Sequence, residues 1–302
     1  MDLLANRRRI LSAGLAFASS SCSKSAVLAG DANKRSTHGM GWIPDRPDPN
    51  DQRRVTKLFA NPGPRPPSKD LSAKLPPAYD QGKVGACTAN AIAAAVQYAR
   101  RVHSKPDDFI PSRLFIYYQQ RQIEGTTSLD AGGQLRDGIA SVANVGVCSE
   151  ADWPYDNVAG DESTHVFPPG AQATKSPPAS ILQAAAKYRA ISYEPLSQDV
   201  AVLEGCIASG YPFVFGFNLY AAFDESFKAL RKPQPDQQLP LAGHAAMATG
   251  YDQSKRLFRI RNSWGPNAND HGYFDMDYDY VLNSAWAANF WVVYQTLGFR
   301  DL

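Results

Sequence analysis

Cysteine is scarce in this chain, with four in 302 residues. That number cannot build the dense disulfide framework of a small secreted scaffold. Cys22 lies in the leading segment, and without it Cys87, Cys148 and Cys206 form an odd set. In an exported protein an odd set leaves at least one free thiol. Cys148 and Cys206 are either a pair or two buried small apolar side chains. Long apolar runs are also missing, and no stretch is fit to span a bilayer as a helix. His38, His103, His165 and His271 have no partner at metal-ligand spacing, and the glycine-rich stretches lack a phosphate-loop pattern. No metal or organic cofactor is implied. Charge of one sign is lacking too: 31 basic residues meet 29 acidic ones. Arg7, Arg8, Arg9 and Lys24 against Asp2 account for the excess, so beyond residue 29 the acidic residues lead by one. That balance gives no reason to expect nucleic acid or an anionic membrane as partner.

What is present points to a folded, exported protein. A hydrophobic content of 44% over this length supplies the core of one large or two modest domains. Residues 1–29 read as an export signal, with Arg7–Arg9 preceding a modestly apolar run from Ile10 to Ala18 and then small residues. Asn6-Arg7-Arg8-Arg9-Ile10-Leu11 resembles a twin-arginine signal, with cleavage expected after Ala29 and a periplasmic or extracellular destination. Cys22 invites lipidation, but Ser19 stands where lipoprotein signals carry an aliphatic residue. Residues 30–74 are rich in proline, which removes amide donors and favours extended backbone. They read as an extended arm that Trp42, Val55, Leu58 and Phe59 tack onto the main body. The arm is short for an independently folded inhibitory domain, yet long enough to cover a cleft.

From residue 75 to 302 the pattern is that of one catalytic domain with two lobes. Helices are expected over Thr88–Val102, Ser112–Gln122 and Gln134–Val145, the last closed by Gly146. A proline-rich surface crossing follows over Asp156–Ser180. Beyond it the period changes. Strands are expected at Tyr188–Tyr193, Pro212–Leu219, His244–Tyr251, Arg256–Asn262, Gly272–Met276 and Asn289–Tyr294, with one helix at Ser197–Ser209. A helical part over about 80–155 and a strand-rich part over about 180–296 make an α+β protein.

Three short motifs carry the chemistry. They are Gln81-Gly82-Lys83-Val84-Gly85-Ala86-Cys87, Gly243-His244-Ala245 and Arg261-Asn262-Ser263-Trp264-Gly265. Cys87 stands at the start of the long helix, where unsatisfied amides and the helix dipole favour thiolate. Gly82 and Gly85 leave room for a substrate backbone, and the Gln81 amide can donate to an oxyanion beside the Cys87 N–H. His244 has small neighbours and suits proton exchange near neutral pH. Asn262 is placed to accept from the second imidazole nitrogen, and Trp264 to shield that bond. Singly each has a bland reading: an inert core thiol, a surface amide, a core histidine, a strand-ending turn.

In this order the motifs resemble the active site of papain-type cysteine peptidases, a family whose signature is similar to Gln-Gly-x-Cys-Gly-Ser-Cys-Trp, x-His-Ala and Asn-Ser-Trp-Gly. The resemblance spans about Leu75 to Tyr294 and is closest to bacterial members without the long helical inhibitory prosegment. It implies a two-lobed fold, a helical lobe against an antiparallel sheet or barrel, with the cleft between. It also implies Cys87 as nucleophile, His244 as base and acid, Asn262 as orienting residue and Gln81 as oxyanion donor. Gly132 and Gly133 would pair with the substrate backbone, and Ala245 would line the pocket for the side chain second from the scissile bond. The implied partner is a peptide or protein substrate, acted on by a monomer with no transmembrane anchor once the signal is removed. Two departures stand out. Val84 and Asp130 occupy both ends of a bridge that the family makes from cysteines, and Thr88 replaces the usual aromatic after the nucleophile, at the helix start and on the leaving side of the cleft. The alternatives are a cell-wall peptide amidase or transpeptidase using the same thiol, and a peptide-binding protein that has lost turnover.

Overall fold

Helix α1, Cys87–His103, is alanine-rich and buried on every side over most of its length, so it forms the centre of the molecule rather than a surface element. The computed structural model describes residues 38–48, 59, 63–103, 109–220, 229–231 and 240–296. Val55 and Leu58 of the arm, and the export signal, lie outside these residues.

Helices α2 (Arg113–Glu124) and α3 (Leu135–Asn144) pack on α1 and on each other. The Ser112 side chain caps α2 by accepting from the Phe115 amide, and Gly125, with φ of 73°, closes it. Gly146 turns the chain after α3 with φ of 94°. The crossing that follows is less exposed than its prolines suggest. Phe167, Ala171 and Ala173 are buried, and the buried Arg121 guanidinium donates to the carbonyls of Thr127, Leu129 and Ala173. A short helix the sequence pattern does not announce, α4 (Ala179–Ala185), ends it.

Among the remaining described residues one eight-stranded sheet dominates. Strands β1 (Ser68–Asp70), β2 (Ala190–Pro195), β3 (Phe213–Leu219), β4 (Ala229–Leu230), β5 (Ala242–Asp252), β6 (Leu257–Arg261), β7 (Tyr273–Asp277) and β8 (Ala287–Thr296) pair in the order β2-β8-β3-β5-β6-β7-β4, with β1 added on β5. All pairings are antiparallel except β4 with β7. Helix α5 (Val200–Ala208) is capped by Asp199, whose carboxylate accepts from the amides of Ala201 and Val202, and α6 (Tyr278–Val281) follows β7. Because β1 joins the sheet, the catalytic fold takes in chain ahead of residue 75, where the proline pattern draws its boundary.

Two apolar clusters form on the two faces of the sheet. One gathers α1, α2 and α3 with Val214, Ala245, Met247 and Trp291. The other holds Phe213, Phe215, Phe217, Phe258, Phe274 and Phe290 with α5 and α6. Alternation along β3 and β5 sorts side chains between the clusters. Trp42 and Cys87 belong to the first and Phe59 to the second, so the arm reaches both faces.

Candidate active site

Cys87 is the first residue of α1, and its chain approaches through Gly82, whose φ of 55° and contact with Asn157 exclude a side chain. The carboxylate of Asp130 holds this turn in place. It accepts from the Gly85 amide (3.0 Å), the Tyr117 hydroxyl (2.7 Å) and the Gly160 amide (3.2 Å). The two segments that the resemblance would join by a disulfide are thus joined by Asp130. Asp130→Ala leaves three donors unmatched and is expected to cost ~3 kcal/mol, lowering Tm by roughly 6–12 °C in thermal unfolding. Asp130→Asn, which keeps one acceptor oxygen, should lose about half as much.

His244 lies on β5 and Asn262 just beyond β6, adjacent strands that bring them together across 18 residues of chain. The His244 Nε2–H donates to Asn262 Oδ1 at 2.9 Å. The carboxamide cannot turn over, because its Nδ2 donates to Asn269 Oδ1 at 2.8 Å and its Oδ1 also accepts from the Ser263 amide. The proton is thereby fixed on Nε2, leaving Nδ1 with its lone pair. Trp264 lies with its ring centroid 5.1 Å from the imidazole. Gln81 is buried and equally fixed. Its Oε1 accepts from Ser263 Oγ at 2.5 Å, so its Nε2 faces the carbonyls of Gly39 (2.8 Å) and Val84 (3.0 Å).

The contact with Gly39 identifies what fills the cleft. Residues 38–48 of the arm cross the site. His38 stacks on Trp264, ring centroids 5.2 Å apart, although its spacing in the sequence suggested no role. The Gly39 amide donates to Gly82 O, the Trp42 amide to Gly243 O (3.1 Å), the Gly133 amide to Gly41 O (2.7 Å) and the Ile43 amide to Gly133 O (3.1 Å). The passage over the turn is too narrow for side chains. A Cβ on Gly41 would fall 1.8 Å from Gly85 O, and one on Gly39 2.3 Å from Val84 O. Gly132, with φ of 72°, is held by the Tyr117 hydroxyl and lies against Gly41. Ala245 is wholly buried, in the same apolar cluster as Trp42.

This cover reverses the expected charge state. Burial pushes the Cys87 thiol up to about 11, outweighing the amides of Ala245, Gly41, Thr88 and Cys87 itself that pull the other way. Burial likewise takes His244 down to about 4, against the Asn262 bond that raises it, and nearby His38 adds to the lowering. Among the described residues His244 Nδ1 has no hydrogen-bond partner. The sulfur lies against the amide of Ala245, the next residue, but the two groups do not share a proton here. In this state burial favours the neutral form of both groups. The helix start does favour thiolate locally; burial, a tertiary effect, is larger.

Thr88 also differs from its expected place. It is fully buried and donates to Gln120 Oε1 at 3.0 Å, while Gln120 Nε2 donates to Gln134 O. It therefore braces the floor under Gly133 instead of forming a cleft surface. Cys148 and Cys206 are free and buried, two small core side chains. Among the described residues no group of three or more His, Cys, Asp or Glu is placed to hold a metal, and no helix is long and apolar enough to cross a membrane.

Residues 66–289 match the model of the papain family cysteine proteases. The chain belongs to that family. It is 33% identical over 220 residues to an uncharacterized peptidase C1-like protein of Acanthamoeba polyphaga mimivirus, covering 71% of this chain and 68% of that one. It is 25% identical over 224 residues to pro-cathepsin H of Bos taurus, covering 70% and 60%. The crystal structure of xylellain, a cysteine protease from Xylella fastidiosa, superposes with a TM-score of 0.77 at 40% identity, over 90% of this chain and all of that one. As a papain-family member the chain is a cysteine peptidase, a hydrolase acting on peptides, with the α+β papain-like fold. Asn269 and Tyr117 also orient groups around the cleft, and neither stands out in the sequence, because each reaches its partner through a contact made only in the folded chain.

Proposed function

We propose that Cys87 attacks the carbonyl carbon of a peptide bond as its proton passes to His244 Nδ1. The imidazolium then protonates the leaving amine, and water activated by the same nitrogen hydrolyses the thioester. Gln81 Nε2 and the Cys87 amide stabilise the oxyanion, and Asn262 holds the ring under the cover of Trp264. Gly132 and Gly133 bind the substrate backbone, and Ala245 lines the pocket for the side chain second from the scissile bond. The observation that carries this reading is the arm itself. A peptide of this chain lies over the sulfur, with one carbonyl on Gln81 Nε2 at 2.8 Å and its backbone paired with Gly133.

The same arm keeps the full chain latent, because substrate and arm need one groove. Turnover follows its withdrawal, when solvent returns to the thiol and imidazole and permits them to form an ion pair. The leading segment adds export to the reading, to the periplasm or beyond. Iodoacetamide labelling located by peptide mapping tests the chemistry: hydrolysis should fall in step with modification of Cys87. Hydrolysis that persists in fully modified protein would refute it.

A further inference from the structure

The arm is held at a second place, past the catalytic centre. Trp42 lies on Gly216 of β3, the middle of a shelf of small residues in which Gly216 pairs with Ala245 on β5 and Ala288 on β8. A Cβ on Gly216 would fall 1.9 Å from the indole. Three residues on, the Asp45 carboxylate meets two donors, one for each oxygen. The Arg136 amide, in the first turn of α3, donates to Oδ1 at 3.1 Å, and Trp291 Nε1 donates to Oδ2 at 2.9 Å. The Asp45 amide donates to Asn289 Oδ1 at 3.0 Å. The amide of Arg136 is one of the donors a helix start leaves unmatched, and it lies at the positive end of the helix dipole. Trp291 is only 4% exposed, so its N–H has been taken out of water and aimed at this point. Burial holds the Asp45 carboxyl above its ordinary value and Asp137 adds to the rise, while the bonds from the Arg136 amide and Trp291 and the Arg136 guanidinium pull the other way.

We infer that the cleft carries a carboxylate clamp, formed by the Arg136 amide and Trp291 Nε1 beside Asn289, that takes an acidic side chain of a bound peptide together with an aromatic side chain on the Gly216 shelf. The inference rests on the peptidase reading above and extends it to the class of peptide recognised. Trp42-Ile43-Pro44-Asp45 is then the arm's own copy of that pattern. Withdrawal of the arm strips two donors of their acceptors, and a peptide that restores both is favoured over one that restores one. A carboxylate has two acceptor oxygens. A carboxamide has one, so either Arg136 N–H or Trp291 N–H would face an NH₂ group.

The test uses the full chain carrying Trp42→Ala, with protection of Cys87 from iodoacetamide as the readout. Two synthetic peptides compete, one with the sequence of residues 38–48 and one with Asp45→Asn. The acidic peptide should protect at about tenfold lower concentration, and adding Trp291→Phe to the protein should shrink that ratio to about threefold or less. Equal protection by both peptides, or a tenfold ratio that survives Trp291→Phe, would overturn the inference. The ratio does not depend on how much protein is folded. A second measurement profiles cleavage of a mixed peptide library by the Trp42→Ala chain. Enrichment of Asp and Glu over Asn and Gln at a fixed distance from an aromatic residue supports the clamp; cleavage without it counts against the clamp. Cleavage of no peptide at all would strike the peptidase reading, while the protection ratio still decides the clamp.

Discussion

Trp42→Ala in the full chain is expected to raise peptidase activity by roughly ten- to a thousandfold. The indole is buried against Gly216 and Gly243, and truncating a buried tryptophan costs about 3–5 kcal/mol. That cost falls on the covered state alone, because an arm withdrawn into solvent has no such contact to lose. At about 1.4 kcal/mol for each tenfold, the open fraction rises by roughly two to three and a half orders of magnitude unless it saturates first, which limits the gain in activity. Initial rates on a fluorogenic peptide, scaled to sites counted by an irreversible thiol reagent, measure the change. The scaling matters, since the substitution also removes apolar contacts from the first core cluster. Unchanged activity per site would mean that the arm does not govern access.

Gln81→Ala should move two observables in opposite directions. Loss of an oxyanion donor lowers kcat by about 10²–10³. The same Nε2 also donates to the arm's Gly39 carbonyl, so its removal weakens the cover by about 1–3 kcal/mol. Alkylation of Cys87 should therefore become faster, by roughly tenfold, while turnover collapses. A purely structural amide would slow both or neither. The Ser263 hydroxyl loses its acceptor as well, so the comparison needs protein shown to be folded by its thermal transition.

The residues brought to the cleft were legible where the signal is local and not where it is tertiary. Gln81, Cys87, His244 and Asn262 lie in short motifs, and the strands that carry His244 and Asn262 show in their own periodicity. Asn269 could not be found this way: its side chain reaches Asn262 from a loop where its backbone is left-handed, φ 53°. The strong periodicity of α1, α2 and α3 placed those helices to within two residues of their observed ends. The short α4 and α6 and the two-residue β4 are too brief to leave a pattern. Composition showed that residues 38–48 are extended and that Trp42 would find a home. Which home depended on Gly216 and Gly243, far along the chain and unremarkable until a ring lies on them. The upward shift of Cys87 under the arm is hidden for the same reason: a helix start is visible in sequence, and the depth at which it is buried is not.

In the proposed mechanism the arm keeps sulfur and imidazole neutral until it leaves. The pH profile of Cys87 alkylation from pH 5 to 9, in the parent chain and in Trp42→Ala, tests this most directly. The variant should react at a near-constant fast rate from about pH 6 to 8, the mark of a thiolate already paired with imidazolium. The parent should be at least tenfold slower throughout. Two superimposable profiles, each rising only near the ordinary thiol value of about 8.5, would contradict it.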